Sequence, residues 1–351
     1  MIDDYLGGFF GLELGQVGNF PYPESERCAW VSSGRAALEC LLRSMPRVAR
    51  VWVPRFTCDT VLQPLQCMGL PVLRYELSRD WLPLLPEPAR ADDLLLLTNY
   101  FGFTGEAVAA AAAAHPGPCV VDATTALYAP PGDLPTFYSL RKFAGVPDGG
   151  VACAPFPICL PQEEDRSSAR AAYLLQRIEV GAEAALPASE RAEAELSAPP
   201  RRMSPLTRAL IGSIDWQRIA AARLRTYTAL HTHLAPLNRL SLPAEAPSAP
   251  FCYPFVSGIP GLRDDLIDSG LALPLFWPEV IRDTSADSPA NQLARQLLPI
   301  PLDQRYTAAE ILPFFQFLLD IPGGQAYTAA VPTVGCAINR GMEQPGSSSG
   351  S

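Results

Sequence analysis

Covalent capture of a carbonyl compound through nitrogen needs an amine that can shed its proton, and this 351-residue chain contains one lysine, Lys142. Apart from three histidines, every other basic side chain is arginine. A guanidinium stays protonated and is not a nucleophilic amine, whereas a desolvated lysine can lose its proton and form a Schiff base. Lys142 lies within FYSLRKFAGVPDGG, residues 137–150, among aromatic and small residues and ahead of a Pro147-Asp148-Gly149-Gly150 turn. A lone lysine is also what an arginine-biased composition leaves by chance, so its surroundings have to decide.

Other stretches carry chemistry of their own. Ser32-Ser33-Gly34-Arg35 opens a helix that runs to about Met45. A small-residue loop entering a helix presents free N–H groups and a positive dipole end, which favour a phosphate; the same residues also read as an ordinary serine N-cap. PCVVD, residues 118–122, places Asp122 where an apolar strand ends. His231 and His233 are two apart on a helix and point to different faces, so no metal site is expected there. The nine cysteines are irregularly spaced and read as buried thiols in a reducing compartment, with neither a disulfide framework nor a zinc site.

The elements that must position these residues alternate. Strands are predicted at residues 50–54, 71–77, 93–99 and 118–122, with helices at 59–68 and 105–115. That alternation implies right-handed crossovers and a mainly parallel sheet, with ligands beyond the carboxyl ends of the strands. Residues 1–30 read as an ordered loop. Beyond Gly150 the pattern predicts a helix at 164–185, a hinge at Ala198-Pro199-Pro200, and one long helix at 207–234. The last third reads as strands at 252–257 and 271–276, helices at 262–269 and 287–297, and a closing helix at 308–319. The expected division is a large α/β domain over 1–205, a smaller α+β domain over 206–330 and a disordered Gly/Ser-rich tail over 331–351.

Composition narrows the function. Hydrophobic residues at 48% and charged ones at 18% suit a globular enzyme. A net charge of −9 with no basic cluster argues against nucleic acid as a partner. No apolar run approaches membrane-spanning length. Asp3 and Asp4 stand where a signal peptide needs positive charge, so a cytoplasmic location is expected.

Taken in order, the Ser-Ser-Gly loop, Asp122, Lys142 and the Gly-Gly turn resemble the fold type I pyridoxal-phosphate enzymes. Within them the chain is similar to sugar aminotransferases of the DegT/StrS type, from Leu6-Gly7-Gly8 to about Leu319. Val53-Pro54-Arg55-Phe56-Thr57, Asp122-Ala123, Pro147-Asp148-Gly149-Gly150 and Arg202-Met203-Ser204 carry the match. The resemblance implies a mainly parallel seven-stranded sheet between helices, pyridoxal 5'-phosphate as cofactor, and a homodimer. It implies amino transfer from an amino donor such as glutamate to a keto sugar, possibly nucleotide-linked. Lys142 would hold the cofactor and shuttle the proton, and Asp122 would keep the pyridine nitrogen protonated. Ser33, Gly34, Arg35 and Ser139 would surround the phosphate, while Cys58 and Thr125 would lie by the ring.

Several positions depart from the family pattern. Arg35 stands in place of a threonine, Thr125 in place of a glutamine or histidine, and Cys58 in place of an aromatic ring. Pro200 falls where a partner-subunit asparagine reaches the phosphate. Arg35 either turns back to a ligand phosphate or pairs with Glu39 one turn on. These changes leave open a non-catalytic relative, or a pyridoxal-phosphate enzyme of another reaction type such as a dehydratase.

Overall fold

The computed structural model describes residues 11–196 and 199–319. Leu6-Gly7-Gly8, Ala198 of the expected hinge and the tail from residue 331 lie outside them. Eight strands form the main sheet: β1 (Cys28–Val31), β2 (Arg50–Pro54), β3 (Val72–Leu77), β4 (Pro83–Leu84), β5 (Asp93–Thr98), β6 (Cys119–Asp122), β7 (Thr136–Ser139) and β8 (Gly150–Cys153). Their order across the sheet is β1-β8-β7-β6-β5-β2-β3-β4. From β3 through β7 every pairing is parallel, while β8, β1 and the short edge strand β4 run antiparallel to their neighbours. The mainly parallel sheet that the resemblance implies is thus present, with eight strands rather than seven; β1, β4, β7 and β8 are not among the strands that the pattern predicts.

The central strands are apolar because they are covered on both faces. Successive side chains point to opposite sides, so Val51, Val53, Leu94, Leu96 and Val120 pack under helix α1 (Gly34–Ser44) and helix α2 (Leu62–Cys67). Trp52, Leu95, Leu97 and Val121 pack under helix α3 (Gly105–Ala114) through Val108 and Ala111. The alanine run of α3 is only partly used in this packing, because Val108 and Ala111 alone are buried.

Past β8 the predicted elements change shape. The expected helix at 164–185 begins late and breaks: helix α4 (Ala172–Glu179) and helix α5 (Gly181–Glu195) are separated at Gly181, whose φ of +88° ends a right-handed run. The single long helix is also two, α6 (Pro205–Ser213) and α7 (Trp216–Leu234). Asp215 interrupts it as an N-cap, accepting from Arg218 N at 2.9 Å.

In the C-terminal third, strand β9 (Cys252–Val256) pairs antiparallel with β10 (Leu297–Pro301). Helices α8 (Leu262–Asp268), α9 (Pro278–Asp283) and α10 (Pro289–Gln296) lie between them. Residues 271–276, expected as a strand, have no sheet partner. Pro274 lacks a donor, and Arg263 Nη1 takes the carbonyls of Leu273 and Pro274 at 3.1 and 3.3 Å. A second core of Tyr227, Leu230, Tyr253, Phe255, Ile300 and Phe315 closes this region.

Two cysteine expectations are corrected. Cys28 and Cys153 face each other across β1 and β8 and form a disulfide, while Cys67 and Cys159 are exposed. A single cross-strand bond is not legible from irregular spacing, since its partners are 125 residues apart.

Asp148, in the turn ahead of β8, ties that turn to α6. Fully buried, it accepts from Ser204 N at 2.9 Å, Ser204 Oγ at 2.8 Å and Thr207 Oγ1. Replacing it with alanine strands three buried donors. Asp148→Ala should cost about 2–4 kcal/mol in urea unfolding. A loss below roughly 0.5 kcal/mol, the range of an ordinary surface change, would show the strut to be dispensable.

Candidate active site at the carboxyl edge of the sheet

Strand order reverses between β2 and β5: the chain moves outward from β2 to β3, and the other way from β5 to β6 and β7. Ligands in open α/β sheets bind outside the carboxyl ends at such a reversal. Every candidate residue but those on α1 follows a strand at this edge. Phe56 to Cys58 follow β2, Asn99 to Phe101 follow β5, Asp122 to Thr125 close β6, and Ser139 to Lys142 close β7.

Lys142 ends a one-turn 3-10 helix, Leu140–Lys142, whose position is set on both sides. Leu140 N donates to Gly149 O at 3.1 Å, and Phe143 N donates to Leu140 O at 2.9 Å. Phe143 is buried against Tyr128 and Phe251, with the Arg223 guanidinium 4.7 Å from its ring centre. Held this way, Lys142 is half-buried, and its Nζ donates to Thr124 Oγ1 at 3.1 Å. Asp122 is buried and accepts from Thr124 N at 2.8 Å. Burial pushes the Asp122 carboxyl above the ordinary carboxylate range; Lys142 and the Thr124 hydrogen bonds pull the other way without cancelling it.

The helix start meets the same group of residues. Ser33 caps α1, its Oγ accepting from Ala36 N at 3.1 Å. That leaves the Ser33 hydroxyl proton, and the Gly34 and Arg35 N–H groups, without acceptors inside the helix. A Cβ on Gly34 would lie 3.3 Å from Thr124 Cγ2 and 3.7 Å from Ser139 Cβ, so glycine keeps this space open beside both. Behind it, a Cβ on Gly150 would lie 2.8 Å from Gly34 N and closer still to the Ser33 carbonyl. Gly149 N donates to Ser32 O at 2.7 Å. The Gly-Gly turn therefore supports the Ser33-Gly34 loop. The free N–H groups at the helix start, the buried carboxylate and the amine are the kinds of group that a pyridoxal phosphate needs.

The structure shows what three of the candidates touch. Arg35 does not pair with Glu39, which belongs to Arg43. Its guanidinium donates to Gln63 Oε1 at 3.0 Å and to Glu193 Oε1 at 2.9 Å. The Thr125 hydroxyl is engaged by backbone, accepting from Phe101 N at 3.2 Å; its neighbour Thr124 is the one that meets Lys142. Cys58 Sγ lies 3.1 Å from Thr60 Oγ1, with its thiol pushed up by burial. Glu193, 158 residues from Arg35, carries no local signal that would single it out. His231 packs on Tyr227 and Tyr253, while His233 is exposed. Among the described residues, no group of three or more His, Cys, Asp or Glu is placed to hold a metal, and no helix is long and apolar enough to cross a membrane.

No protein-family model and no curated protein matches the chain. Solved structures do. The sugar aminotransferase CalS13 from Micromonospora echinospora matches at 17% identity over 84% of this chain and 86% of that one, with a TM-score of 0.56. A DegT DnrJ EryC1 StrS aminotransferase from Brucella abortus matches at 15% identity over 84% and 86%, with a TM-score of 0.55. The E. coli GDP-4-keto-6-deoxy-D-mannose-3-dehydratase, solved with bound hydrated PLP, matches at 13% over 85% and 88%, with a TM-score of 0.56. The chain shares the α/β fold of these structures over most of its length, at identities that speak for the fold alone.

The raised Asp122 carboxyl sets a pH dependence. The folded chain binds a proton there more readily than the unfolded chain. The stability from this group is full below the ordinary carboxylate range and is lost as pH rises through the raised value. Asp122→Asn should therefore raise the melting temperature of the cofactor-free protein at about pH 8 and change it little at about pH 4. The same shift at both pH values, or a lower melting temperature at the higher one, would contradict this reading of the carboxylate.

Proposed function

We propose that this chain is a pyridoxal-phosphate-dependent enzyme of sugar modification, and that its reaction is amino transfer to a keto sugar. The observation that carries the reading is the meeting of the only lysine, a buried aspartate and a glycine-opened helix start at one strand edge. Ser33, Gly34, Arg35 and Ser139 would hold the phosphate of the cofactor. Lys142 would hold its aldehyde carbon. When bound, the cofactor supplies an electron sink through its protonated ring nitrogen.

Each residue then has a task of its own. Buried Asp122 lacks a full counter-charge, and a ring N–H⁺ placed against it would favour its ionised form. The Lys142 amine, when not holding the cofactor, would be the base that moves the proton. The Thr124 hydroxyl sits within reach of both Lys142 and the Asp122 loop, and would hold the amine when it is displaced. Phe56 and Tyr100, which follow β2 and β5, pack on each other and on Trp277, and this aromatic group would help to keep water from a ligand bound at that edge.

Both aminotransferases and a dehydratase share the fold, and amino transfer is favoured here because a lysine amine can be displaced and can return. A glutamate-like donor and a nucleotide-linked keto sugar are the proposed substrates. A homodimer is also proposed, since α4 exposes Leu175 and Ile178, the latter by 83%.

The test is a half-reaction. Protein loaded with pyridoxal phosphate and given glutamate should convert its cofactor to the pyridoxamine form and release one 2-oxoglutarate per chain. Failure with glutamate and with every other amino acid, together with loss of water from a keto sugar, would replace amino transfer by dehydration.

A further inference from the structure

Three ionised groups from distant parts of the chain meet where the helix start and the lysine turn approach each other. Arg35 is the second residue of α1, and Arg141 immediately precedes Lys142. Glu193 of α5 reaches both: its Oε1 accepts from Arg35 Nη2 at 2.9 Å, and its Oε2 accepts from Arg141 Nη1. Each carboxylate oxygen thus serves one guanidinium, an anion held between two planar donors. Arg141 Nε is buried with no hydrogen-bond partner, so the cluster keeps a donor in reserve. Burial works against the Glu193 charge, but Arg141 and Arg35 outweigh it and hold the carboxyl below its ordinary range, with Lys142 adding to their effect.

The charges do not balance. Two guanidinium groups and the nearby amine of Lys142 surround one carboxylate, an excess that suits a dianion better than the monoanion present. The element that brings Glu193 is also lightly held. No residue of α4 is buried, and only Ala185 and Ala192 of α5 are. The Glu193 side chain is 39% exposed and those of Arg35 and Arg141 are 15% and 17% exposed, so the carboxylate is the more open side of the cluster.

We propose that Glu193 is an internal stand-in for phosphate, and that a phosphate dianion entering beside Gly34 takes Arg35 and Arg141 from it and releases α5. Arg141 joins Arg35 as a phosphate ligand, and together they supply hydrogen-bond donors that Pro200 cannot. The exchange is noncovalent: two ion pairs to a carboxylate are traded for two to a phosphate, and the freed Glu193 returns to water. The inference rests on the cofactor reading where the phosphate is that of pyridoxal phosphate, but the anion exchange itself is open to inorganic phosphate alone.

The test compares the full-length parent with Glu193→Gln and Arg141→Met by calorimetry, using inorganic phosphate, pyridoxal phosphate and phosphate-free pyridoxal. Glu193→Gln should bind both phosphates about tenfold tighter, the factor for losing one charge-assisted competitor, and pyridoxal no differently. Arg141→Met should bind both phosphates about tenfold more weakly. Phosphate affinity that is unchanged or weaker in Glu193→Gln overturns the proposal and makes Glu193 a fixed support for the arginines. Should the variants fold poorly, hydrogen exchange on the parent decides: phosphate should speed exchange of the α5 amides, residues 181–195, and unchanged or slower exchange overturns the proposal. A parent that shows the phosphate effects but never takes pyridoxal phosphate on Lys142 would defeat the functional reading and leave this one standing.

Discussion

The site depends on how closely Gly150 lies against the peptide joining Ser33 and Gly34. No side chain fits between them, since a Cβ at Gly150 would overlap the Ser33 carbonyl. That contact, with the Gly149 N–H bond to Ser32 O, fixes the start of α1 relative to the end of β7. Gly149 at a φ of +126° lets the chain turn there, and Leu140 packs against it. The lysine turn and the helix start are therefore two sides of one joint. Asp148 anchors the joint from behind through Ser204 and Thr207.

The C-terminal third bears on the same joint from the other side. Gln304 Nε2 donates to Phe143 O at 3.0 Å, and Arg223 of α7 stacks on the Phe143 ring. Arg223 is itself buried, donating to Pro250 O and Phe251 O, and burial pulls its guanidinium down to about 10. Farther along the edge, Glu279 accepts from Asp59 N at 2.9 Å, just past Cys58. A residue adjacent to Lys142 is thus gripped by two segments more than 70 positions away in sequence. A shift of this region would be felt at the lysine before it reached the strands.

Legibility followed the range of the forces involved. β2, β5 and β6 were plain in the sequence because strands buried on both faces must be continuously apolar, as DLLLLT shows. β1, β7 and β8 are not legible in the sequence because they are four residues each, and β8 is held between β7 and the edge strand β1, whose Cys28 is 125 positions from Cys153. The break at Asp215 was available as an N-cap signal, but an uninterrupted helical pattern on both sides outweighed it. At the site, order and spacing single out Lys142, Asp122, Gly34 and Ser139, and the fold places them near one another at one edge of the sheet. That Thr124 meets Lys142 is not legible in the sequence, because adjacent threonines differ only in which way the turn points them. Arg35 was judged by its own helix, whereas its partner Glu193 comes from a segment that no local rule connects to it.

Because the chain has one lysine, the central claim can be tested with little ambiguity. The purified protein, given pyridoxal phosphate and then borohydride, is digested and the added mass located by fragment sequencing. The label is expected on Lys142 in the parent and should be lost in Lys142→Arg. A label confined to the N-terminal amine, or the same extent of labelling in both proteins, would contradict it.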